Sequence, residues 1–200
     1  MHTLSANLQK PLILSAEFPL SLETDWIAPQ SIRVPDFHLR NWLLDTGSLT
    51  ERLQSHCRQF RVQLLGQAPL PLLDNEREQM GPVDYLVREV ILWGDDRPWV
   101  FARSLLPRAL CEQDRGELSN LGEKPLGSIL FNDARFERQP FQVTRLSAAH
   151  RLQSALKLPG TQVLWGRRSV FHYLQWRMMV AEVFLPQCPA YKQMGAPHAG

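Results

Sequence analysis

The sequence predicts one compact domain in which short helices accompany antiparallel strands. Its 200 residues are 44% hydrophobic, which suits a single substantial core and differs from a disordered or repetitive chain. Residues 86–107 carry a hairpin pattern, because LVREVILW and WVFARSLL flank the turn GDDRP. Residues 48–51 read SLTE, a capping box that opens a helix.

The first elements follow from proline content and periodicity. Residues 1–35 contain four prolines and no sustained period, so we expect an N-terminal extension that packs on or wraps the core. Residues 36–44 predict a short helix, and residues 48–59 predict a second helix beyond Gly47. Residues 60–66 alternate apolar and polar side chains, as in a half-buried strand.

The second half of the chain predicts further short elements. Pro125 stands where the first turn of a helix over residues 121–131 would begin. The amides of such a turn can bind an anion, although a helix that only packs is the more common use. The remaining predictions are a strand over 141–146, a helix over 148–156, two antiparallel strands over 163–185 without a turn signal between them, and a flexible tail over 192–200.

Composition excludes several classes of function. The formal net charge is only +2, so we expect no nucleic-acid partner. Arginine outnumbers lysine by 18 to 4, which suits bidentate binding of carboxylates or phosphates. A genome rich in G and C gives the same bias, and this explanation carries more weight.

Cysteine usage and the absence of common motifs narrow the choice further. The three cysteines, Cys57, Cys111 and Cys188, are widely spaced and form no CxxC, so we expect a reducing cytoplasm. No run of about 18 apolar residues exists, and no membrane insertion is expected. The six histidines are scattered, and no nucleotide-binding or metalloprotease motif occurs, so we expect neither metal nor organic cofactor.

Two charged residues in apolar strands are the candidate site. Glu182 is the only charge in residues 178–185, MMVAEVFL, and Arg88 shares a strand face with Val90 and Leu92. A buried carboxylate must be protonated, paired or ready for a ligand. A structural Arg–Glu ion pair would satisfy both residues without any function. A ligand pocket lined by both is the alternative.

The segment LWGRRS supplies two further cations. Adjacent residues on a strand point to opposite faces, so one of Arg167 and Arg168 should face the pocket and the other solvent. For either arginine a structural salt bridge is an equally good interpretation.

Five segments in fixed order, VREVILW, PWVFARSLLP, LGEKPLGSILF, LWGRRS and AEVFLPQCPAY, resemble the chorismate pyruvate-lyase family, which opens ubiquinone biosynthesis in many bacteria. The resemblance covers residues 36–191. It implies a single α+β domain with a six-stranded antiparallel sheet and helical flaps over an enclosed ligand site. It also implies conversion of chorismate to 4-hydroxybenzoate and pyruvate without a cofactor, by a protein that we expect to be a monomer.

The resemblance also implies roles for single residues. Arg88 matches the arginine that binds the ring carboxylate, and Glu182 matches the active-site glutamate. Leu126 matches a position that contacts this carboxylate through its backbone. Leu49 stands where a relative has a methionine that lines the site, and Arg167 is a weaker candidate for the enolpyruvyl carboxylate. The competing interpretation is a ligand-sensing module of related fold, as in the effector domains of some transcription regulators.

Overall fold

The protein is an α+β domain built on one antiparallel sheet. The computed structural model describes residue 14 and residues 16–113, 118, 120–158 and 162–191. The strands within these ranges are β1 (Phe60–Pro69), β2 (Tyr85–Gly94), β3 (Arg97–Pro107), β4 (Glu137–Arg138), β5 (Gln142–Leu146), β6 (Leu164–Tyr173) and β7 (Trp176–Phe184). The helices are α1 (Phe37–Leu43), α2 (Leu49–Gln54), α3 (Asp74–Arg77), α4 (Arg108–Gln113), α5 (Leu126–Asn132) and α6 (Arg151–Ala155).

The expected six strands are corrected to seven among the described residues. The strand order is β1-β2-β3-β7-β6-β4, and β5 also pairs with β6. The outer edge of β6 is therefore shared by two short strands. Between them Gln139 N donates to Val170 O at 2.8 Å, but the next residue, Pro140, has no amide with which to continue the ladder. One edge strand is thus divided into β4 and β5.

Both predicted hairpins are confirmed. The β2–β3 turn consists of Asp95 and Asp96, with φ angles of 46° and 60°, as a type I′ turn requires. The β6–β7 turn forms without such residues. Tyr173 pairs with Trp176, and Leu174 adopts a φ of 53°.

The first two helices begin within one residue of their predicted starts. The Asp36 and Ser48 side chains each accept the backbone amide three residues further on, at 2.9 and 3.4 Å. Helix α2 ends at Gln54, before the predicted end at residue 59. The hydroxyl of Ser55 donates to the Arg52 carbonyl at 2.7 Å, and such side-chain bonds compete with the next helical turn.

The sheet is covered on both faces. We call front face the side of Arg88, Ser104, Val180 and Ser169, which stand opposite one another across β2, β3, β7 and β6. Helices α1 and α2 pack on it in one apolar cluster, and α4 and α5 pack on it in another. These four helices separate the front face from solvent.

The other side, which we call the back face, includes Glu89, Arg103 and Arg168. Leu20 and Leu22 pack on it together with residues of α6. Arg168 is only 4% exposed there, so the expectation that one of the two adjacent arginines faces solvent is wrong. The reason is that the back face carries its own apolar layer.

No helix in the described part of the chain is long and apolar enough to cross a membrane. The expected tail over 192–200 lies outside the described residues, and the boundary between an extension and a core near residue 35 stays a prediction.

Candidate functional site

The sheet register places Arg88 and Glu182 on the same face. Arg88 stands opposite Ser104, and Ser104 stands opposite Val180. Residues directly opposite one another on antiparallel strands share a face, and Glu182 follows Val180 by two residues. The two charged residues lie two strands apart, a lateral separation of roughly 10 Å at the backbone. Both therefore lie on the front face, with β3 between them.

Arg88 is held by the loop that precedes α5. Its Nη2 donates to the carbonyl oxygens of Gly122 and Lys124 at 3.0 and 2.9 Å. Its Nε is buried and has no hydrogen-bond acceptor among the described residues. Burial lowers the pKa of Arg88 to about 10, which leaves the guanidinium charged at neutral pH. The side chain is thus a buried cation with an unused donor.

The ion-pair partner of Glu182 is Arg167. Arg167 Nε donates to Glu182 Oε2 at 2.9 Å, across the direct pair between β6 and β7. Arg167 Nη1 donates to the carbonyl of Asp45 at 2.6 Å, in the loop between α1 and α2. Its Nη2 is buried without an acceptor in the described part of the chain. The Glu182 side chain is 16% exposed, so its carboxylate is not fully enclosed by these contacts.

The starts of α2 and α5 meet over the front face. Leu49 and Leu126 are the first residues of these helices, and both side chains are buried in the apolar clusters of the front face. A Cβ at Gly127 would lie 2.9 Å from Thr50 Oγ1. Glycine, although a poor helix former, is what allows the two helices to approach so closely.

A third arginine belongs to this region, and sequence reasoning missed it. Arg138 lies on β4, where its Nε donates to Ser169 Oγ and its Nη1 to the carbonyl of Thr46, both at 2.9 Å. It stands in a short polar stretch without periodicity, so no pattern distinguishes it. The aromatic residues close by in the sequence, Phe136 and Phe141, are the weak signal that could have pointed to it.

Positive charge exceeds negative charge on this face. Among the described residues, Arg88, Arg138 and Arg167 share the front face with the carboxylate of Glu182, which pairs with Arg167. The nearby Asp45 carboxylate is already in an ion pair with Arg52 at 2.6 Å. Buried charge of one sign is unfavourable without a counter-charge. The arrangement is therefore suited to an anionic ligand.

The structural interpretation of Arg88 and Glu182 as an ion pair with each other is wrong. Each has other partners, because β3 separates them. For Arg167 the salt-bridge interpretation is confirmed, but its bond to Glu182 uses only one of its donors. The structure brings Arg88, Arg167 and Glu182 to one face, with Leu49 and Leu126 at the ends of the helices that cover this face.

Solved structures resemble the fold. The effector domain of PhnF from Mycobacterium smegmatis matches with a TM-score of 0.55 at 14% identity, over 72% of this chain and 91% of that domain. The PhnF structure from the same organism gives the same score, over 72% of this chain and 65% of that one. At such low identity the similarity concerns the fold alone.

Sequence comparisons are more specific. A family described as chorismate lyase matches residues 20–196. A probable chorismate pyruvate-lyase from Pseudoalteromonas atlantica is 48% identical over 90% of this chain and 95% of its own length. A relative of the same name from Shewanella amazonensis is 39% identical over 90% of this chain and 96% of its own length. Another, from Photobacterium profundum, is 36% identical over 93% of this chain and 94% of its own length. The chain therefore belongs to the chorismate lyase family.

Proposed function

We infer that this protein is a chorismate pyruvate-lyase, which converts chorismate to 4-hydroxybenzoate and pyruvate. The observation that carries this inference beyond family membership is the group of three arginines, Arg88, Arg138 and Arg167, that shares the front face with Glu182. Chorismate has two carboxylates, and the front face has three guanidiniums for one carboxylate. The charge of the ligand therefore balances the charge of the site.

Arg88 is the residue that we assign to the ring carboxylate. A guanidinium can bind a carboxylate through two parallel hydrogen bonds, and Arg88 has a buried Nε without an acceptor among the described residues. The backbone amide of Leu126, at the start of α5, adds a donor for the same carboxylate. Leu49 lines the site from α2. Together the two helices act as flaps over an enclosed ligand site.

Glu182 is assigned to the hydroxyl end of the substrate. Losing the enolpyruvyl group and a ring hydrogen leaves an aromatic ring, so the reaction needs no redox partner. Arg167 fixes one oxygen of Glu182. The other oxygen can accept a hydrogen bond from the substrate hydroxyl as charge moves through the ring. Arg167 Nη2 is the donor that we assign to the enolpyruvyl carboxylate.

The proposed setting is a monomer in the cytoplasm, without a nucleic-acid partner. The three cysteines, all within the described residues, are free thiols, which suits a reducing compartment. The low net charge gives no broad electrostatic attraction to nucleic acid.

The first experiment is to incubate the purified protein with chorismate and excess chelator. We expect 4-hydroxybenzoate, followed by absorbance, and pyruvate, followed by a coupled assay, to appear in equal amounts. An Arg88→Ala variant should lose both binding and turnover, because a small apolar residue replaces the cation. Chorismate that stays unchanged with folded wild-type protein would refute the lyase and favour a sensing module. Unchanged kinetics in Arg88→Ala would refute the assigned carboxylate site.

A further inference from the structure

Arg138 connects three separate parts of the site. Its guanidinium contacts Ser169 of β6 and the Thr46 carbonyl in the α1–α2 loop. It also lies between two aromatic rings, 5.2 Å from the centre of Phe131 in α5 and 5.0 Å from that of Phe141. One side chain thus touches the sheet, helix α5 and the loop that precedes α2.

In the described part of the chain, Arg138 has hydrogen-bond acceptors but no ion-pair partner. Among the described residues no carboxylate lies within ion-pair distance of it, whereas Arg167 has Glu182. Burial lowers the pKa of Arg138 to about 10, and the charge of Arg167 acts in the same direction, while Glu182 and Asp45 oppose it. Two guanidiniums therefore influence each other beside one carboxylate that Arg167 already holds. An anion at this point would relieve the repulsion between them.

The positions along the sheet fit a ligand with two charged ends. Arg138 contacts Ser169, and Ser169 lies in the same cross-strand row as Arg88. The two residues are three strands apart, so their backbones are separated by roughly 14 Å. Both arginines have long side chains that lie over the front face. The strand of Glu182, β7, runs between β2 and β6, so a small dicarboxylate bound by both arginines would pass over it.

We propose that Arg138 acts with Arg167 as the subsite for the second carboxylate of the substrate, the carboxylate on the enolpyruvyl group. This inference rests on the proposed function. Arg167 contributes its unused Nη2, and Arg138 contributes positive charge from the neighbouring strand β4. The product 4-hydroxybenzoate lacks this carboxylate. Arg138 therefore distinguishes substrate from product, whereas Arg88 binds the carboxylate that both share.

The test compares substrate and product in two variants of Arg138. Arg138→Gln removes the charge but keeps a polar group near Ser169, and Arg138→Lys keeps the charge. We expect Arg138→Gln to lower kcat/KM for chorismate by about 10- to 100-fold, the usual effect of losing a hydrogen bond to a charged group. The Kd for 4-hydroxybenzoate, measured by calorimetric titration, should change less than about threefold. Arg138→Lys should recover part of kcat/KM.

Arg135→Gln is the matched control, because Arg135 lies three residues away, is exposed, and pairs with Asp133. It should leave both quantities unchanged. If Arg138→Gln lowers kcat/KM for chorismate and the affinity for 4-hydroxybenzoate by the same factor, the inference is overturned. Such a result would show that Arg138 only holds α5 and the α1–α2 loop in place. Unchanged kinetics would overturn the inference as well. If Arg138→Gln fails to fold, Arg138→Lys decides alone. In that case Arg138→Lys must lower kcat/KM for chorismate by a larger factor than it raises the Kd for 4-hydroxybenzoate. Equal factors, or no change in either quantity, contradict the inference.

Failure of the proposed function is a separate outcome. A wild-type protein that releases no pyruvate from chorismate refutes the lyase before any variant is compared. A wild type that releases pyruvate, together with an Arg138→Gln variant that treats both ligands alike, refutes only the role of Arg138.

Discussion

Among single residues, Glu182 has the most direct role in the proposed reaction, and Glu182→Gln is the variant that isolates this role. Glutamine keeps an oxygen for Arg167 Nε, so the fold should be retained. It removes the negative charge that we expect the substrate hydroxyl to need. The kcat for pyruvate release should fall by about 10²- to 10⁴-fold, the usual contribution of a positioned acid or base. Pyruvate release that matches the wild-type rate, with an unchanged unfolding temperature, would contradict this role.

The candidate residues differ in how visible they are in the sequence. Glu182 and Arg88 stand out because each is a charge among apolar residues on a strand. The sequence does not reveal that Glu182 pairs with Arg167, because the pairing depends on the register between β6 and β7. Arg138 acquires its environment only when β4 meets β6, and nothing local predicts that meeting.

Among the elements, the β2–β3 and β6–β7 hairpins have different turns. The β2–β3 turn places aspartates at positive φ, whereas the β6–β7 turn places Leu174 there. A side chain other than glycine costs about 1–2 kcal/mol at a left-handed φ, and asparagine tolerates it best. Leu174 is 80% exposed, so replacing it removes little packing. Leu174→Asn should raise the Tm by about 2–4 °C in a domain of this size.

Gln175→Asn is the control for this prediction, because Gln175 shares the turn without a positive φ in the structure. Thermal unfolding followed by circular dichroism measures both variants. A Tm for Leu174→Asn that falls, or that rises no more than the control, would show that the turn is not strained.

Local signals predict where elements begin better than where they end. The capping box at Ser48 placed the start of α2 correctly, since a cap is a local hydrogen bond. The end of α2 depends on Ser55 competing for a carbonyl, and the division between β4 and β5 depends on Pro140 meeting β6. Helices α3 and α4 were not predicted. Each is at most six residues long, too short for a periodic pattern.

For the whole molecule, a buried ion network joins the N-terminal segment to the sheet. On the back face Arg103 bonds to Glu76 at 2.7 Å and to Glu89 at 2.9 Å. Glu89 also accepts the amides of Leu20 and Ser21 at 2.7 and 3.0 Å. The network therefore connects α3, two strands and the segment before α1.

Removing the cation of this network should destabilise the whole fold. Arg103→Met leaves two buried carboxylates without their partner, which costs about 3–5 kcal/mol. Urea unfolding should report this loss in the free energy of unfolding. Arg97→Met, at an exposed position of the same strand, should change it by less than about 0.5 kcal/mol. A loss below about 1 kcal/mol in Arg103→Met would mean that the network contributes little.

The back face also explains why the environment of Arg168 was mispredicted. Alternation along β6 correctly separates Arg167 from Arg168. It does not reveal that a distant segment covers the second face. Arg168 bonds there to Gln142 and to the carbonyl of Asn75, both at 2.8 Å. Coverage by residues remote in the chain is a property of the assembled fold.

The arginines of the front face bind the backbone of the loops that lead into α2 and α5. Arg167 and Arg138 hold the consecutive carbonyls of Asp45 and Thr46, and Arg88 holds two carbonyls just before α5. A carboxylate that binds the unused N–H groups of Arg88 and Arg167 shares these two guanidiniums with the loop carbonyls. Because the ligand and the loops then depend on the position of the same guanidiniums, ligand binding and loop position are thermodynamically linked.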